Sequence, residues 1–241
     1  MTVSAPSTSK GAPFEHVGAD LFQFGGQQHL LVVDRFSGYP LVKKLKRTDT
    51  KTIINVMSEW FNMLGWPRTM RSDGGPQFRG ALAEFCQENK IVHELASAYN
   101  PKSNGLAEAA VKNVKLLMEK CFRAGECFDS ALYIWKNTPR VDGRSPVQLL
   151  FGRRQLTSLP TLPQHHAAVD LEEAAVNKDK VFEKAKVYHD QGKRSLPVLR
   201  AGMPVIMQNS STGVWDRPCV ITKVRQGGGS YCVKDLSLIH I

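Results

Sequence analysis

The chain has 241 residues, with 32 Lys plus Arg against 22 Asp plus Glu and a formal net charge of +10. Its 42% hydrophobic and 22% charged residues are typical of a globular protein and exclude collagen-like, low-complexity and wholly disordered chains, while the basic excess indicates a polyanionic partner. Because no apolar run approaches the roughly 20 residues of a membrane span and the start MTVSAPSTSKGAP is small and polar, we expect a soluble, intracellular protein.

Three β-rich runs follow the polar start. They are HVGADLFQF (16–24), HLLVVD (29–34) and YPLVKKL (39–45). Turn residues separate them, with Gly25-Gly26 after the first run and Ser37-Gly38 after the second. The pattern predicts a meander of three strands.

An amphipathic helix is predicted next. Thr48-Asp49 offers an N-cap, and Gly65 with Pro67 ends the element. Its apolar face consists of Ile53, Met57, Trp60, Phe61 and Leu64. Residues 68–73 then read as a strand, 81–89 as a helix and 91–97 as a strand. The order becomes βββαβαβ, which indicates an α/β fold.

Longer helices are predicted beyond this point. The first runs from Asn104 to about Arg123 on a stripe of apolar residues, namely Ala107, Val111, Val114, Met118 and Cys121. Another covers 129–138. The charged stretch 171–194 has a narrow apolar seam, formed by Val181, Ala185 and Tyr188. That seam predicts a helical arm packed on one side.

Three carboxylates are unusual in their context. Asp20 lies inside the first predicted strand, Asp73 ends the fourth, and Glu108 is in the first turn of the long helix. A strand-interior Asp between apolar neighbours needs a partner or a cation to offset its desolvation. If the three converge, they can hold two divalent ions for an in-line displacement at phosphorus, and hard oxygen ligands favour magnesium or manganese. Taken singly, each of the 22 acidic residues is more often simply solvated.

Two segments carry a family resemblance. RSDGGPQFRG (71–80), followed by ELASAYNPKSNGLAEAAVKNVKLLMEKC (94–121), resembles the catalytic core of retrovirus-like integrases from long-terminal-repeat, gypsy-type retrotransposons. The similarity extends from about Ala12 to Leu159. It implies an RNase H-like fold with a mixed five-stranded sheet flanked by helices.

The resemblance also implies a function and a site. The family's Asp, Asp, Glu triad falls on Asp20, Asp73 and Glu108, which would bind two Mg²⁺ (or Mn²⁺) ions for DNA 3′-end processing and strand transfer. The loop 97–105, with Tyr99 and Asn104, corresponds to a segment that gates the site and touches DNA. The implied partners are donor DNA ends, a target duplex and further copies of the chain on DNA. The implied location is nuclear, with cytoplasmic assembly.

The sequence departs from the family pattern in two ways. Residues 74 through 107 put 34 residues between Asp73 and Glu108, one fewer than is usual, and the missing residue is best placed near Gly80-Ala81 in a loop. The second departure is the absence, ahead of the core, of the His-His-Cys-Cys zinc module that such integrases carry. That absence puts multimer assembly in doubt and leaves phosphoryl transfer unaffected.

Several residues have competing interpretations. Asp34 is the rival of Asp20, but the Ser-Gly turn after it favours a turn-capping role. Lys112 and Lys115 share the helix face of Glu108, which we predict to lie opposite the apolar stripe. They are expected to hold DNA phosphates; the alternative is a solvated pairing of Glu108 with Lys112.

The predicted organisation has five parts. They are a disordered N-terminus (1–11), the integrase-like core (12–159), a linker with the charged helix (160–195), a small SH3-like β-barrel (196–235) and a non-native tail (236–241). The barrel prediction rests on short β runs over 198–236 and on a resemblance at Trp215 and Arg217. The overall prediction is a magnesium-dependent polynucleotidyl transferase. The alternative is a domesticated, catalytically silent relative that binds DNA or chromatin.

Overall fold

The computed structural model describes residues 11–96, 105–156, 168–191, 198–209, 212–224 and 231–236. The chain divides into two compact units, one within residues 9–185 and the other within residues 186–241. None of the helices in these stretches is long and apolar enough to cross a membrane. The predicted boundaries near 159 and 195 fall on residues that the structure does not describe. The same holds for nearly all of the N-terminus that is predicted to be disordered. They stay predictions.

The larger unit contains the predicted mixed five-stranded sheet. Strands β1 (His16–Phe24), β2 (Gln27–Asp34) and β3 (Pro40–Leu45) form an antiparallel meander. Strand β4 (Thr69–Ser72) pairs in parallel with β1, and β5 (Val92–Leu95) pairs in parallel with β4. The spatial order is β3-β2-β1-β4-β5. The predicted fold class of a sheet flanked by helices is therefore confirmed.

The first two helices lie between strands of the sheet in chain order, and the others come after β5. Their bounds are α1 (Thr50–Leu64), α2 (Ala81–Glu88), α3 (Gly105–Ala124), α4 (Phe128–Asn137), α5 (Pro146–Phe151) and α6 (Leu171–Asp190), with a 3₁₀ turn at Pro76–Phe78. Helix α1 begins where the Asp49 carboxylate accepts a hydrogen bond from the Thr52 amide at 3.2 Å. It ends at Gly65, whose φ of 101° disfavours any residue with a Cβ.

Strand β2 forms the centre of the core because both of its faces are buried. Leu30 and Val32 join the cluster that α1 covers, whereas Leu31 and Val33 pack with the Ala107, Ala110, Val114 and Met118 stripe of α3. All four β2 side chains are at most 1% exposed. Burying a side chain of this size contributes about 1.5–3 kcal/mol. The sheet is thus fixed between α1 on one side and α3 on the other.

Helix α5 was not predicted from the sequence. Ser145 and Gln148 form a reciprocal capping box at its start, with Pro146 in its first turn. Its Leu149 packs with Phe36, Val169 and Ala174 in a third small cluster. A helix of six residues is too short for periodicity to reveal it.

The predicted seam of the charged helix is wrong in its position. Helix α6 packs through Ala174 in its first turn, and the Lys178 ammonium donates a hydrogen bond to the Phe36 carbonyl. Val181 and Tyr188 are 41% and 80% exposed. The side chain of Ala185 lies outside the described part. The spacing of apolar residues along the helix did not predict this contact, because the partner residue, Phe36, is distant in the sequence.

The smaller unit contains three antiparallel strands within its described residues. Strands β6 (Pro204–Gln208), β7 (Trp215–Val224) and β8 (Tyr231–Asp235) lie in the order β6-β7-β8. Cys219 and Ile221 of β7 are its buried residues. The predicted strands are confirmed, and closure into an SH3-like barrel stays a prediction. Of the predicted tail, only Leu236 is described.

Candidate active site

Asp20 lies in the middle of β1, opposite Leu31 of β2. Its side chain is partly buried, and its Oδ1 accepts a hydrogen bond from the Leu21 amide at 2.8 Å. The pKa of Asp20 is raised to about 6, mainly by burial and also by the charges of Asp73 and Glu108, while the Leu21 hydrogen bond and the charge of Lys115 act in the opposite direction. A carboxylate this costly to ionise is stabilised by a cation.

Asp73 is the first residue beyond β4, and its side chain is exposed. Its Oδ1 accepts a hydrogen bond from the Gly75 amide at 3.2 Å. A Cβ on Gly75 would lie 3.2 Å from that same oxygen, so a larger residue there would press on the carboxylate. The Gly-Gly turn therefore allows close approach of the backbone to Asp73.

Glu108 lies in the first turn of α3 and is exposed. Its neighbour Ala107 is fully buried against Gly18 of β1, where a Cβ on Gly18 would come within 3.3 Å of the Ala107 Cβ. The lack of a side chain at Gly18 thus lets α3 approach the sheet two residues before Asp20. Sequence reasoning missed this role, although a Gly-Ala pair directly before a strand-interior Asp was visible.

Asp73 and Glu108 both lie close enough to Asp20 for their charges to raise its pKa. Their oxygens are the donors that hard divalent cations prefer. The donor set therefore fits magnesium or manganese. Among the described residues, however, no three His, Cys, Asp or Glu side chains come close enough to hold one ion.

The two predicted DNA-binding lysines differ in their surroundings. Lys112 is exposed and forms no ion pair with Glu108 within the described part of the chain. Lys115 is partly buried, with its Nζ 5.6 Å from the Phe22 ring centroid, and its charge lowers the pKa of Asp20. The prediction that both lie opposite the apolar stripe is therefore wrong for Lys115, which borders the packed face because it lies one helical turn after Val111.

Other predicted site residues have different outcomes. Tyr99 and Asn104 lie outside the described residues. Asp34 is fully buried, and its two oxygens accept hydrogen bonds from the Phe14, Phe36 and Ser37 amides and from the Ser37 hydroxyl. The turn-capping interpretation of Asp34 agrees with these contacts.

Two residues near Asp73 form a hydrogen bond that no pattern in the sequence indicated. The Ser72 hydroxyl is hydrogen-bonded to the Asp73 carbonyl at 3.0 Å and lies 2.9 Å from His93 Nε2. The two partners are 21 residues apart and meet only because β4 and β5 pair in parallel.

Comparison with known proteins agrees with this architecture. Residues 11–101 match the Integrase core domain family. An uncharacterized protein of Caenorhabditis elegans is 31% identical over 159 residues, covering 63% of this chain and 12% of that protein. The Gag-Pro-Pol polyprotein of Simian retrovirus SRV-1 is 31% identical over 120 residues, covering 49% of this chain and 6% of the polyprotein. The chain thus spans a small fraction of these relatives.

A solved structure is similar in fold to much of this chain. A chain of the simian T-cell lymphotropic virus intasome, in complex with a PP2A regulatory subunit, superposes with a TM-score of 0.52 at 22% identity. The superposition covers 63% of this chain and 59% of the viral one. The two chains therefore share a fold.

Proposed function

We propose that this chain is a polynucleotidyl transferase that processes DNA 3′ ends and joins them to target DNA, because residues 11–101 match the Integrase core domain family. The observation that carries the proposal is the electrostatic coupling of Asp20 with Asp73 and Glu108. These carboxylates come from β1, the end of β4 and the start of α3, and their charges accumulate where the parallel strands end.

Asp20, Asp73 and Glu108 would hold two Mg²⁺ or Mn²⁺ ions. Bound ions would supply activation of the attacking oxygen and stabilisation of the leaving oxygen in an in-line displacement at phosphorus. The partly buried Asp20 carboxyl, with its pKa raised to about 6, gains most from a cation because its charge is the most costly of the three to keep.

Positive charge beside the carboxylates would position the substrate. Lys115 lies near Asp20, and the exposed Lys112 is one turn away on the same helix. Such contacts fix a duplex by its phosphates without reading its sequence. Tyr99 and Asn104 complete the proposed DNA contacts. We include in the proposal a homo-oligomer on DNA and a nuclear location after cytoplasmic assembly.

The alternative is a silent, DNA- or chromatin-binding relative. Within the described stretches, the carboxylates are not close enough for three of them to share an ion. An enzyme requires a divalent cation to draw them together against their mutual repulsion. A silent relative would bind DNA with no such response.

The test compares wild type with Asp73→Asn in an end-processing and strand-transfer assay on a labelled donor duplex. The variant removes a proposed metal ligand and no phosphate contact, so we expect nicking and joining to fall below detection while DNA affinity stays within about twofold. Wild-type activity in Asp73→Asn would refute the assigned site. DNA binding without activity in the wild type at any Mg²⁺ or Mn²⁺ concentration would support the silent relative.

A further inference from the structure

The main chain at Asp73 is held by a chain of two hydrogen bonds that starts on another strand. Ser72 is fully buried, and its Oγ lies 3.0 Å from the Asp73 carbonyl oxygen. His93 of β5 places its Nε2 2.9 Å from the same Oγ. A hydroxyl has one proton to donate, and a carbonyl can only accept. The Ser72 proton therefore goes to Asp73, and His93 must donate from Nε2.

Strand pairing places His93 at this position. Strands β4 and β5 run in parallel with Met70 opposite His93 and Ser72 opposite Leu95. The Ala96 amide donates the next hydrogen bond, to the Ser72 carbonyl at 2.8 Å. Strand β4 ends at Ser72, so Asp73 is the first residue that the sheet ladder does not hold.

Little else restrains the Asp73 carboxylate. Its described hydrogen bond is the 3.2 Å contact from the Gly75 amide, within a Gly-Gly-Pro turn. The backbone of an exposed residue at the start of such a turn has considerable conformational freedom. The hydrogen bond to its carbonyl, in contrast, restrains the peptide plane after Asp73 and so limits the directions that its Cα–Cβ bond can take.

We propose that Ser72 and His93 are positioning residues that set the orientation of the Asp73 carboxylate toward a divalent cation. The inference rests on the proposed function, because it assumes that Asp73 is a metal ligand. It predicts that the pair acts on metal affinity and on turnover, and leaves DNA affinity unchanged. Groups that orient a ligand from outside typically change metal affinity by about 10–100-fold.

The test measures Mn²⁺ affinity of the full chain by calorimetry, together with single-turnover rates, DNA affinity and the melting temperature. His93→Leu and Ser72→Ala remove the two links, and we expect each to weaken Mn²⁺ binding about tenfold or more. His93→Gln keeps an N–H donor near the Nε2 position, so it should regain most of that affinity. The double variant should be no weaker than the worse single one, since both break the same chain.

His16→Leu is the matched control. His16 Nδ1 makes the same kind of bond, 2.7 Å from Thr69 Oγ1, across the β1–β4 pair at the opposite end of these strands. It should alter the melting temperature and leave Mn²⁺ affinity unchanged. Equal losses of Mn²⁺ affinity in His93→Leu, His93→Gln and His16→Leu would show a merely structural role and overturn the inference.

Asp73→Asn, titrated in the same way, separates the two hypotheses. If it loses Mn²⁺ affinity while His93→Leu and Ser72→Ala do not, the positioning role is wrong and the proposed function stands. If Asp73→Asn binds Mn²⁺ as tightly as wild type, the metal role of Asp73 is wrong, and the positioning role falls with it.

Discussion

Asp20 and Asp34 belong to the same hairpin, yet their carboxyl oxygens contact different groups. Asp34 accepts a hydrogen bond from the Phe14 amide, ahead of β1, and three more from the Phe36 amide, the Ser37 amide and the Ser37 hydroxyl in the turn after β2. Asp20 accepts the 2.8 Å bond from Leu21 and otherwise faces the charges of Asp73, Glu108 and Lys115. The first arrangement satisfies a carboxylate with protein donors, and the second leaves it in need of a cation.

Substituting each aspartate separates these roles. Asp34→Asn replaces one accepting oxygen with an amide group that points its protons either at the Phe14 and Phe36 amides or at the two Ser37 donors. We expect it to lower the free energy of unfolding by about 2 kcal/mol, measured by urea titration, with strand transfer retained by the folded protein. Asp20→Asn should abolish transfer at nearly unchanged stability. The reverse pair of results would make Asp34 the catalytic residue.

Lys136 of α4 gives a pH-dependent prediction. Burial lowers the pKa of its ammonium to about 8, although Nζ lies 4.3 Å from the Tyr39 ring centroid, which offsets part of the cost. Between about pH 8 and 10 the unfolded chain then binds more protons than the folded one, so the free energy of unfolding rises with pH. The pKa of Tyr39 is raised by burial, so its own titration falls above this window.

Lys136→Met should remove that rise. At pH 7 we expect the variant to be more stable than wild type by about 1 kcal/mol, and by about pH 9.5 the difference should shrink. Urea midpoints of both proteins at the two pH values measure it. Parallel pH profiles for wild type and variant would contradict the assigned burial of the ammonium.

At the scale of elements, the contact between β1 and α3 sets the distance between Asp20 and Glu108. Gly18→Ala would place a Cβ 3.3 Å from that of Ala107, which is tighter than ordinary van der Waals contact. We expect α3 to shift outward by a few tenths of an ångström, with about 1 kcal/mol lost in stability. Transfer should fall about tenfold or more, because misplacement of a reacting group is costly.

A compensating substitution tests whether this loss is geometric. Ala107→Gly opens the space that the new methyl group needs, at a cost of about 1 kcal/mol in helix propensity. The Gly18→Ala, Ala107→Gly double variant should therefore recover transfer without recovering stability. The single Ala107→Gly variant serves as the control. No recovery in the double variant would mean that Gly18 acts in some way other than admitting α3.

The same helix carries the proposed phosphate contacts. Replacing Lys112 and Lys115 with Glu should weaken binding to all duplexes alike and flatten its salt dependence, since each lost phosphate contact removes about 0.9 from the slope of log K against log salt. Binding constants in a salt series, with Ca²⁺ in place of Mg²⁺ to prevent turnover, measure it. Parallel slopes for wild type and variant would remove both lysines from the DNA interface.

Local signals explain what the sequence could predict among these elements. Gly25-Gly26, with φ of 56° and 73°, produces the hairpin turn, and Asp49 caps α1, so those elements were predictable. Helix α5 was missed because six residues give no periodicity, and the packing of Ala174 on Phe36 was missed because it joins distant segments. The Ser72–His93 hydrogen bond was missed for the same reason, since it depends on the parallel pairing of two strands that are distant in the sequence.

For the whole molecule, the chain carries a net charge of +10, yet it also contains Asp20, whose charge is repelled by Asp73 and Glu108. Basic charge favours DNA as a partner, and the repulsion at Asp20 favours a divalent cation. Phosphoryl transfer accounts for both features. The nucleic acid compensates the positive charge of the protein, and the cation compensates the repulsion at Asp20. A silent DNA-binding relative would need only the first.

A divalent-metal titration with a labelled donor duplex tests this account most directly. We measure single-turnover strand transfer and duplex binding at increasing Mg²⁺ concentration for wild type, Asp20→Asn and Glu108→Gln. We expect wild-type transfer to be absent in chelator and to rise with about the second power of Mg²⁺ below saturation, as for a two-ion site. Both variants should bind the duplex and transfer nothing. Transfer that persists in chelator, or that survives in either variant at the wild-type rate, would contradict the account.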